Sequence, residues 1–302
     1  MLDTIIYYTQ HNGFHEDTIP ALFINKSFYN NPFLWNRIIN KKRNLTPLMN
    51  ATFINKASRV KFLLEAGANV NLSDSTRQTA LLYAFCGRTK HSPHKCEDCN
   101  LKIIESLCKN NMNLNHLDID GENPIMNAIK LGYTNAIKIF CNYDFDINYK
   151  NSEGKTAMEM AIENNHPEMC YYLWKKGADI NTVDDKKHTF LMTLVYNDSS
   201  TYEMIEDVLK NKPYINAIDD NGNTALMYAH QNTSIDIVKL LIKYNADVSY
   251  SIVNAIFNNN NKVVKELCGL TNKLDYPKLI AFARRYQCYE SEKILLKNQK
   301  NK

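Results

Sequence analysis

Thr46, Thr79, Asn123, Thr156, Thr189 and Thr224 fall into one column of a repeating pattern, at successive steps of 33, 44, 33, 33 and 35 residues. A period of 33 with insertions of eleven and two constrains the fold more than any other feature. A unit that short cannot bury its apolar face alone and must stack on copies of itself. Each anchor opens a matching segment: TPLMNA (46–51), TALLYA (79–84), NPIMNA (123–128), TAMEMA (156–161), TFLMTL (189–194) and TALMYA (224–229). About 25 residues later comes a second mark, ending at Asn71, Asn115, Asn148, Asn181, Asn216 and Ser249. Apolar residues at helical spacing lie between the marks, such as Val60, Leu63 and Leu64, or Ile237, Val238, Leu240 and Leu241.

The anchor Thr is placed to cap a first helix, and a Pro in its first turn loses nothing by lacking an N–H. The Ala that closes the motif is small enough to let two helices approach. Gly67 and Gly177 stand where a left-handed residue ends the second helix, and Gly121, Gly154 and Gly222 sit in D-x-x-G-like turns between repeats. Over residues 41–250 this pattern resembles the ankyrin repeat family, with its turn, TPLH-x-A segment, second helix and GAD-[VI]-N close. The resemblance implies an all-α solenoid of stacked helix-turn-helix units whose turn fingers and first-helix ends line a binding surface. Those positions are the finger tips Arg77, Glu122, Lys150, Glu153, Lys155, Asp185, Lys186, Asp220 and Asn221. The first-helix ends are Phe53, Lys130, Glu163, Tyr196 and Gln231. They differ from repeat to repeat, as positions relieved of folding duty do.

Residues 251–302 read as a degenerate repeat and a C-terminal cap. Ala255 and Leu267, then Ala283 and Leu295, keep the separation of twelve seen between Ala229 and Leu241. Such an array needs a polar end, because an uncovered repeat exposes its apolar face.

With 44% hydrophobic and 23% charged residues the chain has the composition of an ordered protein. A formal charge of +4 is too small to argue for nucleic acid or a charged membrane surface. The opening MLDTIIYYTQ has no positive leader region, and no run approaches the ~20 apolar residues of a membrane span. A monomer in the cytoplasm is expected. The eight scattered cysteines then read as thiols rather than disulfides. Abundant Asn, Lys, Ile and Tyr suit an AT-rich genome, such as that of a virus or intracellular bacterium, with the host-cell cytoplasm as the place of action.

The second repeat carries its eleven extra residues within CGRTKHSPHKCEDCN (86–100). Cys86, His91, Cys96 and Cys99 could hold a structural zinc ion, since thiolate and imidazole suit tetrahedral Zn²⁺. The other reading is an ordinary exposed loop, with no cofactor. No phosphate-cradling glycine loop, HExxH or nucleophile elbow occurs, so an enzyme is not expected. Met126, Met160 and Met192, at helical spacing, read as core.

Residues 1–40 fall outside the period and concentrate aromatics in INKSFYNNPFLWNRII (24–39). They resemble an F-box, the three-helix module that docks onto the Skp adaptor of cullin-RING ubiquitin ligases. LDTIIYY (2–8) matches its first helix through Leu2, Ile5 and Ile6, and DTIPALFINKSFYN (17–30) its second through Ile19, Leu22, Ile24, Lys26 and Phe28. NPFLWNRI (31–38) is similar to its D-P-x-L-W-x-x-[LI] ending through Pro32, Leu34 and Trp35. The Leu-Pro pair that usually opens the family's motif is missing. The other reading is an N-terminal cap whose aromatics pack on the first repeat. Two functions follow: an adaptor whose repeats hold a target protein while the N-terminal segment recruits a Skp-cullin ligase, or a binding scaffold or inhibitor with no ligase attached.

Overall fold

The computed structural model describes residues 44–86, 97–231, 235–271 and 274–300, with the side chains of 86, 97–100 and 231 left aside. Over these residues the expected all-α class is found. Among the described residues there are sixteen helices and no strand, with isolated bridges such as Ser73 with Thr79 and Val183 with Thr189. The chain divides into two compact units, 1–157 and 158–302.

The first unit holds α1 (Pro47–Phe53), α2 (Ala57–Glu65), α3 (Ala80–Cys86), α4 (Glu97–Lys109), α5 (Pro124–Lys130) and α6 (Thr134–Phe140). The second holds α7 (Ala157–Glu163), which starts on the boundary residue, α8 (Pro167–Lys176), α9 (Phe190–Tyr196), α10 (Tyr202–Lys210), α11 (Ala225–Gln231) and α12 (Ile235–Lys243). It ends with α13 (Val248–Phe257), α14 (Asn261–Leu270), α15 (Tyr276–Arg285) and α16 (Tyr289–Lys300).

Within each unit first helices stack on first helices and second on second: α1 on α3 and α2 on α4, then α9 on α11 and α10 on α12. The closing Ala makes this possible, since Ala51, Ala84 and Ala128 are fully buried in one unit and Ala161 in the other. A larger side chain there would push the helices apart.

The anchors cap their helices as expected: the Met49 N–H donates to Thr46 Oγ1 at 3.3 Å, Met126 N–H to Asn123 Oδ1 at 3.0 Å, and Met192 N–H to Thr189 Oγ1 at 3.2 Å. The third-position methionine also returns a bond, its sulfur accepting the anchor's own N–H at Thr46, Thr189 and Thr224 (3.2 to 3.4 Å). This is the capping-box arrangement with a soft acceptor in place of a carboxylate. Met126, Met160 and Met192 are buried, as the spacing indicated.

Four of the asparagines that end a second mark tie their repeat to the next. Asn71 Oδ1 accepts the Asn113 N–H at 2.7 Å and Asn115 Oδ1 the Asp146 N–H at 2.8 Å. In the second unit Asn181 serves Tyr214 and Asn216 serves Asp247 in the same way, at 2.8 and 2.7 Å.

The degenerate end keeps the helix-pair plan. Asp247 caps α13, accepting from the Ser249 and Tyr250 N–H groups, where earlier repeats have a finger. Asn259 and Gln287 hold φ near +54° and +58°, the left-handed turn between paired helices that Asn55, Gly132 and Asn165 also adopt. Leu267, Ala283 and Leu295 are buried.

Candidate protein-binding surface

Each finger is built on one side chain. Asp74, Asp118, Asn151, Asp184 and Asp219 accept with Oδ1 from the N–H groups two and four residues on, at 2.8 to 3.0 Å. A turn residue that satisfies two backbone donors fixes the loop tightly. The following position is left-handed in all five fingers: Arg77, Gly121, Gly154, Lys187 and Gly222 have φ between +59° and +77°.

The second carboxylate oxygen reaches back to the first helix. Asp74 accepts from Tyr83 Oη at 2.7 Å, Asp118 from Asn127 Nδ2 at 2.9 Å, and Asp219 from Tyr228 Oη at 2.5 Å. Burial raises the Asp219 carboxyl, but Tyr228, the Asn223 and Asn221 N–H groups and nearby His188 together bring it below the usual carboxylate range. Tyr228, buried and facing that carboxylate, is pushed up to about 12. Asp74 is lowered in the same way, against burial, by Tyr83 and the Gln78 and Thr76 donors.

In the first unit the proposed surface residues that meet do so in pairs, Glu122 with Lys130 and Glu153 with Lys155. Phe53 is half-buried with its ring edge-on to Tyr83 at 5.9 Å. Arg77 is exposed, and its carbonyl lies 2.8 Å from His116 Nε2. Glu122 does not stand at a finger tip: it is 5% exposed and ion-paired with Lys130. Its position lies one residue past the left-handed turn, where the chain has already dropped toward the helix. Lys155 falls at the same point and its side chain is 18% exposed, whereas Lys150 and Glu153 are exposed. The pairing with Glu122 raises the Lys130 ammonium. Ile119, not among the positions expected from the sequence, is at 68% the most exposed large apolar side chain of this unit's described fingers.

In the second unit they converge. Glu163, Asp185, Lys186, Tyr196 and Asn221 line one cleft of about 420 Å³ together with Asn165, His188, Asn223 and Tyr228. His188 lies between two buried carboxylates, Nδ1 3.3 Å from Asp184 Oδ2 and Nε2 3.2 Å from Asp219 Oδ2 and 3.0 Å from Tyr228 Oη. Tyr196 stands edge-on to Tyr228 at 5.5 Å and is 46% exposed. Asp220, beside the cleft, pairs with Lys187 at 2.7 Å. The side chain of Gln231 lies outside the described residues. His188 and Asn223 are not among the positions expected from the sequence, although both sit four residues after a finger's Asp, in a column that Gln78, Glu122 and Lys155 share.

Of the other sequence expectations, Leu2 to Trp35, His91 and Cys96 lie outside the described residues, as do the side chains of Cys86 and Cys99. Among the described residues no three His, Cys, Asp or Glu side chains could hold a metal ion together, and no helix is long and apolar enough to cross a membrane. Cys108, Cys141, Cys170, Cys268 and Cys288 are thiols rather than disulfides.

This geometry accords with what the chain is similar to. A family model described as ankyrin repeats (three copies) matches residues 94–184 and 176–252, and a single ankyrin repeat matches 43–75. An ankyrin repeat protein of fowlpox virus (strain NVSL) is 31% identical over 130 residues, which are 42% of this chain and 30% of that protein. One of Acanthamoeba polyphaga mimivirus is 28% identical over 180 residues, 55% of this chain and 23% of that protein. The matched stretches thus span less than a third of these curated relatives. Among solved structures, an ankyrin repeat domain from Acinetobacter baumannii AYE covers 67% of this chain and 98% of its own, at 24% identity and a TM-score of 0.49. With the three-copy model alone accounting for more than half its residues, the chain belongs to the ankyrin-repeat family.

Proposed function

We propose that this protein is an interaction adaptor. Its repeats hold a target protein, and its N-terminal segment recruits a Skp-cullin ubiquitin ligase to that target. It works as a monomer in the cytoplasm, that of a host cell if the source is a virus or intracellular bacterium. The observation that carries the target-binding half is the cleft of the second unit. There Glu163, Asp185, Lys186, Tyr196 and Asn221, which repeat comparison marks as relieved of folding duty, face one volume. Surfaces that fold nothing and still gather charge and aromatic area are what protein recognition uses. The ligase half is supported by the sequence resemblance of residues 2–39 to an F-box.

Affinity capture from cell extract tests both halves. The full chain is expected to recover Skp and cullin together with a target. A chain starting at Asn40 should keep the target and lose the ligase. Recovery of the target with no Skp from either form would leave a binding scaffold or inhibitor. Loss of no partner on reversing charge at Glu163 and Asp185 would remove the cleft from target recognition.

A further inference from the structure

The chemistry of the cleft specifies what enters it. Two buried carboxylates, Asp184 and Asp219, stand behind His188, and Glu163 and Asp185 are exposed at the rim. Lys186 is the one ammonium among the lining residues. Three lining carboxylates, Glu163, Asp184 and Asp185, with Asp219 behind His188, outnumber that ammonium and give the cleft a negative potential, which the low-dielectric walls strengthen. Its floor is apolar where Ile162 and Met192 lie, 3% and 2% exposed. Tyr196 offers an aromatic ring that is 46% exposed and held in place by its edge contact with Tyr228. The acids are not arranged as a metal site, since among the described residues no three His, Cys, Asp or Glu side chains are placed to hold one ion. An organic cation on an apolar stem satisfies all of these features together.

We infer that the cleft bounded by Glu163, Asp185, Tyr196 and Tyr228 is a specificity pocket for an arginine side chain on an extended segment of the target protein. The inference rests on the adaptor reading and names the chemistry that reading leaves open. The three methylenes of the guest lie along Ile162 and Met192. Its planar guanidinium stacks on Tyr196 and forks toward the rim carboxylates, a geometry a compact ammonium cannot reproduce. The behaviour of His188 fits: held on both ring nitrogens by Asp184, Asp219 and Tyr228, it serves as a wall and does not compete for the guest.

The test uses the full chain labelled with ring-¹³C tyrosine, with Tyr196 and Tyr228 assigned through their Phe variants. The probes are two capped pentapeptides, Gly-Ser-Arg-Ser-Gly and the same peptide with citrulline, which keeps the shape and loses the charge. The arginine peptide is expected to shift the Tyr196 resonance in the millimolar range and to bind about tenfold more tightly than the citrulline peptide. Tyr196→Ala should weaken it several-fold. Asp185→Lys combined with Glu163→Lys should abolish the preference for arginine. Asp185→Asn, milder and at an exposed position, should give an intermediate loss, which guards against a variant that misfolds. Equal titration by both peptides, or no shift at Tyr196 and Tyr228, overturns the proposal. A chain that captures its target and treats both peptides alike keeps the adaptor reading and loses this one.

Discussion

Five finger turns share one left-handed position, and two of them fill it with a side chain that has a Cβ. Gly121, Gly154 and Gly222 adopt positive φ at no steric cost, whereas Arg77 and Lys187 hold φ of +59° and +60°. A left-handed L-residue costs about 1–2 kcal/mol, and a glycine gives back about 0.5–1 kcal/mol of that in unfolded-state freedom. Arg77→Gly is therefore expected to stabilise the fold by roughly 0.5–1 kcal/mol, read as a rise of a few degrees in the thermal midpoint. A fall in midpoint would show that the Arg77 side chain contributes more than its backbone costs. The paired aspartates carry the opposite lesson. Asp219 has a depressed carboxyl in the folded state, so its contribution is present above the unfolded value near 3.9 and is lost as pH falls through the folded value. Asp219→Ala should cost about 2–3 kcal/mol at neutral pH, because it strands two N–H donors and the Tyr228 hydroxyl. It should also flatten the acid limb of a pH-stability curve measured in urea. Glycine at this turn was legible in the sequence from its spacing. The double role of Asp219 was not, since its second partner lies nine residues away on a helix whose orientation is set by packing.

At the scale of elements, seven-residue first helices such as α1 and α9 are too short to stand alone, and capping and stacking together hold them. Thr189→Ala removes the cap on Met192 N–H and is expected to cost about 1 kcal/mol by chemical denaturation. No measurable loss would mean that the Met192 sulfur contact suffices. Helices α11 and α14 are joined by His230, whose Nδ1 lies 3.2 Å from Glu266 Oε2 while Nε2 is buried without a hydrogen-bond partner. Burial lowers the imidazole, and Glu266 only partly offsets this. A histidine depressed in the folded state contributes fully above its unfolded value near 6.5, and that contribution declines as pH falls toward and through the lowered folded value. Stability should thus drop below about pH 6.5, and His230→Leu should remove that part of the slope. An unchanged slope would assign it to another group, such as His166, which burial also lowers. The spacing of Ala and Leu made α13 to α16 legible even where the turn motif was lost. The identity of the α11–α14 tie was not, because His and Glu separated by 36 residues carry no shared local signal.

For the molecule as a whole, a stacked-repeat chain is held by contacts between neighbouring repeats. Its ends therefore matter more than in a globular domain. Helices α15 and α16 cover α13 and α14 and bury Ala283 and Leu295. Ending the chain at Thr271 should lower the thermal midpoint and create binding sites for a dye that reports exposed apolar surface. An unchanged midpoint would make those helices an appendage. The thiols report on the same core: burial and then Glu105 push Cys108 up to about 12, and burial raises Cys170 too. Both should react with a thiol reagent about a thousandfold more slowly in the native chain than when unfolded. Half-exposed Cys141 should be modified well before them.

The amino-acid sequence alone determined the repeat, the helical class and the capping residues, and it named candidate surface positions. Those follow from local rules, periodicity, φ preference and side-chain reach within one repeat, which act along the chain. Tertiary structure decided which of those positions meet. Glu122 turned inward onto Lys130, while Glu163, Asp185, Lys186, Tyr196 and Asn221 gathered around His188 and Tyr228. That outcome depends on how neighbouring repeats stack and on which side chain the next repeat presents. Both are set by packing between residues about one period apart, which no stretch of local sequence encodes.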